Sequence, residues 1–211
     1  MFVIIISVKI YAQNIIYDAN KNCKFKVIYK NDSLKISTNE IVTYYISGNT
    51  WKHSSKQKEA IIKYDYSIED SLKCKSLFTL GWTKVDTTGI IEDSTKVWFH
   101  PIRNNQYTNT EFAAFPLIQF PLEINKQYQK ILFTADNFGK NSNQKFIKKY
   151  TVKNRILINN DYFWEVYSEA YNSHNEDKKN ILVFLFNENI GFYKLTYYFY
   201  DKSYIEMQLI D

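Results

Sequence analysis

The sequence predicts an all-β protein, an antiparallel sandwich or an open or closed barrel ending in a C-terminal β-meander. Three observations carry this expectation. Apolar and polar residues alternate with period two in one short segment after another. Polar, Asn-rich or Gly-containing turns separate those segments, and no long amphipathic helix interrupts them. Aromatic residues make up 18% of the 211 residues, a share that suits strands. Five Gly and three Pro argue against a disordered chain.

The last fifty residues, Asp161 to Asp211, read as four consecutive strands. Tyr162 to Tyr171 sets Trp164, Val166 and Ala170 against Glu165 and Glu169. Asn180 to Phe186 is apolar on both faces and predicts a central, doubly covered strand. Asn187 to Asn189 with Gly191 supplies the turn into the next strand. In the final hairpin, Leu195, Tyr197 and Phe199 share a face, as do Ile205, Met207 and Leu209. A three-residue loop, Asp201-Lys202-Ser203, would set Phe199 opposite Ile205, Tyr197 opposite Met207 and Leu195 opposite Leu209. Such a loop lacks its usual Gly, so Lys202 or Ser203 is expected at positive φ.

Earlier in the chain, strands are expected over Cys23 to Tyr29, Ile41 to Ile46, Ile62 to Ile68, Leu72 to Trp82, Val85 to Ile91 and Thr95 to Phe99. Ser54 to Ile61 is the one place where a helical turn is expected. Phe112 to Leu122 carries Pro116 and Pro121, which predicts an edge or covering segment. Tyr128 to Ala135 and Lys145 to Val152 read as a pair around Asp136, Asn137, Gly139 and Asn141. Ile156 to Ile158 leads into the meander. The count is about twelve strands in a single domain, residues 13–211.

Residues 1–12 read as a signal-peptide-like leader. Phe2 to Val8 is apolar and too short to span a bilayer, and Ala12 precedes polar Gln13. The alternative is a first β-strand. Export to the periplasm or cell surface would permit a disulfide between Cys23 and Cys74, which both read as inward-facing. Two separate buried thiols are the other arrangement.

The net charge of +5 is spread along the chain, and its densest cluster is Lys145, Lys148 and Lys149. That pattern reads as a solvated face and points away from nucleic acid. His53, His100 and His174 have no second His at ligand spacing, so no metal site and no cofactor are expected. No nucleophile elbow or phosphate-cradling loop is present, and no catalytic residue is assigned. The segment that concentrates unusual chemistry is Trp98 to Asn105, followed by Glu111 to Leu122, which contains two of the three Pro in addition to Pro101. Trp98 offers a stacking face, His100 a switchable donor, Arg103 an anion contact and Glu111 a carboxylate. The alternative is a covering loop with Arg103 paired to Glu111 or to backbone.

A strand ending W-F-H-P-x-R, then E-x-x-x-F-P-x-x-x-x-P-L, then G-F-Y-K-L-x-Y with D-x-S-x-I-E-x-x-L resembles uncharacterised exported β-rich proteins of Gram-negative bacteria. The resemblance covers roughly residues 96 to 210 and implies export but no reaction. Ile102 departs from that pattern where a second Pro is common, and Lys202 where Gly is common. Three functions follow as expectations. The first is an exported non-enzymatic binding protein for an apolar or mixed small ligand or an envelope partner, with no stable membrane span. The second is a hydrolase using a pair drawn from His100, Glu111, Asp93 and Glu92. The third is a structural envelope protein.

Overall fold

The computed structural model describes residues 15–75, 82–134 and 143–211. The leader, the turn around Asp136 to Asn141, and Phe78 and Leu80 lie outside the described residues. Twelve antiparallel strands form one nearly closed, barrel-shaped sheet. The first six are β1 (Asn22–Asn31), β2 (Ile36–Thr50), β3 (Lys58–Asp65), β4 (Val85–Asp93), β5 (Lys96–Phe99) and β6 (Leu117–Gln119). The second six are β7 (Gln127–Phe133), β8 (Lys145–Ile158), β9 (Asp161–Asn172), β10 (Asn175–Asn187), β11 (Gly191–Tyr198) and β12 (Ser203–Leu209).

The sheet order is β6-β5-β4-β3-β2-β1-β12-β11-β10-β9-β8-β7. Each half is therefore an up-and-down meander, and the two meanders join where β1 pairs with β12. Phe25 lies opposite Leu209 and Tyr29 opposite Ile205 in that ladder. Alternation along each strand does the sorting: Cys23, Phe25, Val27 and Tyr29 of β1 are buried while Lys24, Lys26 and Lys30 are exposed. The interior is packed with aromatic rings. Phe99 lies 4.4 Å from Tyr44, 5.6 Å from Tyr17 and 5.7 Å from Phe192 between ring centroids, in the separation range that favours tilted aromatic pairs.

The final hairpin keeps the expected faces but not the expected register. Tyr197 lies opposite Ile205 and Leu195 opposite Met207, so the loop is Tyr200-Asp201-Lys202. Asp201 decides this, because its Oδ1 accepts from the Ser203 backbone N–H at 2.9 Å and from the Ser203 hydroxyl at 2.6 Å. Lys202 takes the left-handed position at φ +66°. The shift is two residues, so every inward side chain stays inward.

Two local expectations are overturned. Residues Ile68–Lys75 form a helix, α1, where a strand over Leu72 to Trp82 was expected. Ser67 caps it by accepting the Asp70 N–H at 3.0 Å, and Lys73 pairs with Glu69 one turn back at 2.7 Å. Leu72 is consequently exposed and Cys74 buried. Ser54 to Ile61 is not helical. It is a turn, closed by the Trp51 N–H on the Gln57 carbonyl at 2.9 Å, that runs straight into β3. Ladders to β2 and β4 on either side override the local helix preference. Asn180 to Phe186 alternates fully buried with half-buried residues. Cys23 and Cys74 are both free, buried thiols.

The segment before β1 plugs the barrel interior. Ile16 and Tyr17 are buried, and Glu92 of β4 accepts both of their backbone N–H groups, at 2.5 and 3.1 Å. Lys58 bridges the Glu92 carboxylate and the Tyr17 carbonyl at 2.8 Å each. The Tyr17 hydroxyl accepts the Phe192 N–H at 3.0 Å beside Gly191. A Cβ on Gly191 would stand 2.5 Å from that hydroxyl and 2.8 Å from Ile16 Cγ2, at a φ of +95°. Gly191→Ala is expected to destabilise the fold by roughly 2–3 kcal/mol. Urea unfolding checks this; an unchanged midpoint would contradict the plugged arrangement.

Candidate functional site

A 3₁₀ segment, Asn105–Phe112, lies against the barrel between β5 and β6 in sequence. It is pinned by side chains. Asn105 exchanges hydrogen bonds with the Thr83 backbone at 2.9 and 3.0 Å, and Asn104 donates to Asp86 at 2.7 Å. Thr110 donates to the Ile102 and Tyr107 carbonyls. Asn109 donates to Asp201 of the final hairpin at 2.9 Å. The segment rich in aromatics and charge is thus a cover, and β6 between Pro116 and Pro121 is the short edge strand that the prolines predict.

The four residues singled out in the sequence come together here. His100 Nε2 is 3.8 Å from a Glu111 oxygen and 3.3 Å from an Arg103 terminal nitrogen. The Trp98 ring meets the His100 ring edge-on at 5.6 Å. His100 Nδ1 lies 3.0 Å from the Pro101 carbonyl, so it carries the proton and Nε2 accepts from Arg103. Burial and the neighbouring Arg103 charge push the imidazole down to about 3. His100 is a neutral, oriented side chain over the whole neutral range. Arg103 pairs with Asp86 at 3.5 Å, and donates to the Thr87 carbonyl. Glu92 and Asp93 stand apart from this group. Glu92 holds the N-terminal plug, and Asp93 accepts from the Thr95 and Lys96 backbone at the β4–β5 turn.

Lys148 completes the group, and sequence reading missed it. Phe146, Lys148, Tyr150 and Val152 alternate on the buried face of β8, so the central lysine of the basic cluster points inward. Its ammonium nitrogen lies 3.3 Å from the centroid of the Phe115 ring. Among the described residues it makes no hydrogen bond and has no carboxylate within 4.0 Å. Burial drives it down to about 7, while the charge of Glu111 pulls the other way. Burial also raises Glu111, against the pull of Arg103 and Lys148. The strand expected over Lys145 to Val152 puts Lys148 on the same face as Phe146, Tyr150 and Val152, so alternation within it was the signal that pointed the lysine inward.

Lys148 opens onto a cleft of about 240 Å³ at the seam of the barrel. Trp98 and Lys96 of β5 with Phe115 and Leu117 form one wall; Lys130 and Leu132 of β7 with Lys148 and Tyr150 of β8 form the other. Of the four residues predicted from sequence, only Trp98 lines it. A larger hollow of about 580 Å³ near the β9–β10 turn is lined mainly by Asn, Gln and other polar groups such as His174 and Asp201.

Glu40 of β2 is a second inward charge beneath the 3₁₀ segment. Tyr107 and Gln106 both donate to its Oε1, while its Oε2 has no partner among the described residues. Burial raises it to about 7.

No family model and no curated protein matches the sequence. One solved structure matches: a Bacteroides fragilis protein with a YmcC-like fold, described as a candidate exported protein. Its identity to this chain is 10%, with a TM-score of 0.41, over 93% of this chain and 99% of that one. No helix among the described residues is long and apolar enough to cross a membrane.

Both inward charges make stability depend on pH. The unfolded Lys148 holds its proton to about pH 10 while the folded amine releases it near 7, so its burden is full below about pH 7 and fades towards pH 10. Lys148→Met is expected to raise stability by on the order of a few kcal/mol at pH 6, with a smaller gain at pH 9, as urea titrations at both values would read. The charge of Arg103, although paired with Asp86, still acts on Glu111 in that variant. Glu40 has the opposite sign. It favours the fold below about pH 4.5, and that contribution is lost as pH rises through about 7. Glu40→Gln is expected to stabilise by on the order of 2 kcal/mol at pH 8 and little at pH 4, measured by thermal unfolding at the two values.

Proposed function

We propose that the protein is an exported, non-enzymatic binding protein whose ligand site is the seam cleft, with Trp98 as its aromatic wall. One observation carries the reading: a concave, mostly apolar cleft opens between the two sheet edges with a few polar groups converging on it. Among the described residues the centre of the barrel is filled by Phe25, Tyr44, Phe99, Phe184 and Phe192, buried there in mutual contact. The cleft, at about 240 Å³, is smaller than the ~300–1,000 Å³ of usual small-molecule sites, which fits a short apolar chain or one end of a longer ligand. Behind Trp98 lies His100, edge-on to the indole, in a polar group with Arg103, Glu111 and Asp86.

The arrangement of His100 argues against its use as a general base. Its free nitrogen already accepts from Arg103, and it stays neutral with little affinity for a proton near pH 7. Export is supported by the apolar, Ala-ended leader and by the resemblance over residues 96 to 210.

Native mass spectrometry after mild extraction, with calorimetric titration of n-octanol as a neutral probe, tests the reading. A co-purifying apolar ligand or measurable octanol binding is expected, weakened about tenfold or more by Leu132→Asp, which puts a charge on the cleft wall. A clean apo mass together with no octanol heat would overturn it.

A further inference from the structure

Among the described residues the lysine at the floor of the seam cleft has no counter-ion in contact, although it is one of their most buried polar groups. Only 3% of Lys148 is exposed. Buried charges are ordinarily paired, and an unpaired one is a standing cost. Most of the other charged groups around it are spoken for or distant. Arg103 is held by Asp86, Lys96 lies 3.9 Å from Asp93, and Lys130 is at the exposed rim. His100 is neutral. Glu111 faces Lys148 from the 3₁₀ segment but lies beyond ion-pair distance, and one of its oxygens is buried with no hydrogen-bond partner among the described residues. The cleft walls therefore present three lysines and no carboxylate of their own.

We propose that the seam cleft takes a short-chain carboxylate amphiphile, its alkyl chain against Trp98, Leu117 and Leu132 and its carboxylate on the ammonium of Lys148. This rests on the cleft being a ligand site. The chain length follows from volume: about 240 Å³ holds about eight water-sized groups at ~30 Å³ each. The single charge follows from the floor, where one buried ammonium neutralises one negative charge. A carboxylate at van der Waals depth over Phe115 would replace the π-face as the main partner of Lys148, a charge-assisted hydrogen bond in place of a cation–π contact. Binding would also restore the proton to the amine. Affinity should then fall with rising pH, by up to about tenfold per unit above neutrality, for the carboxylate alone.

Calorimetry on the full chain with octanoate, n-octanol and octyl phosphate, between about pH 6 and pH 9, reads this directly. Octanoate should bind at least about tenfold more tightly than octanol at pH 6 and lose that advantage by pH 9, while octanol stays flat. Lys148→Met should bring octanoate to the level of octanol at every pH. Equal binding of octanol and octanoate by the native protein across the range would overturn the anion anchor and leave the apolar cleft standing. Tighter binding of octyl phosphate would overturn the assignment of a single charge. No binding of octanoate, n-octanol or octyl phosphate would overturn both this inference and the function on which it rests. The pH series needs no variant, so a misfolded Lys148→Met does not decide the outcome.

Discussion

The structure turns on how its two sheet edges meet. Among the described residues no ladder joins β6 to β7, and a sheet of twelve strands without that ladder presents two open rows of backbone groups. Side chains close the gap instead. Tyr128 donates to the Leu117 carbonyl at 2.5 Å, Lys126 to the Gln119 carbonyl at 3.1 Å, and Tyr150 to the Phe115 carbonyl at 3.0 Å. The Tyr128 and Tyr150 rings stack at 4.9 Å, so one aromatic pair carries two of the three bridges. A side chain spans more distance than a backbone hydrogen bond. The seam therefore stands open by about the width of a side chain, and the cleft is the space this leaves.

The same geometry explains why charges lie inside an otherwise aromatic barrel. The interior positions of β2 and β8 run Thr38, Glu40, Val42, Tyr44 and Phe146, Lys148, Tyr150, Val152. In each row the charge falls where the 3₁₀ segment crosses. Gln106 and Tyr107 meet Glu40 near the start of that segment, and Glu111 faces Lys148 near its end. A polar cover over a barrel mouth needs polar partners beneath it, because every buried donor left unpaired costs free energy. Glu40 meets that need with two donors. Lys148 does not, having an aromatic face and a carboxylate out of reach, so packing alone gives no reason for a lysine there.

Much of the architecture was legible because alternation is a local signal with a long-range consequence. The fold class, the meander and the inward row of Leu195, Tyr197, Phe199, Ile205 and Met207 all follow from period two. The hairpin register did not, because Asp201 outweighed face matching between two registers that bury the same side chains. The helix at Ile68 was hidden by charged residues that also alternate, although Ser67 three residues ahead of Asp70 is a capping signal. The grouping of Trp98, His100, Arg103 and Glu111 was legible as an unusual local composition. Lys148 was not, since its partners come from a segment more than thirty residues earlier and sequence distance conceals the seam.

Stability and the proposed binding are set against each other at this seam. Elsewhere each strand gains from backbone ladders, some interrupted by bulges, and aromatic rings pack in mutual contact in the interior. Closing β6 against β7 by backbone hydrogen bonds would extend that gain and erase the cleft. Replacing Lys148 by an apolar residue would remove a desolvated charge and erase the polar floor. The chain has neither feature. What it has is a wall of aromatics, a gap bridged by two tyrosines and a lysine, and one buried amine facing the cleft that remains. The proposed site for one end of an amphipathic molecule rests on those elements, with specificity placed in the single charge and affinity in the apolar walls.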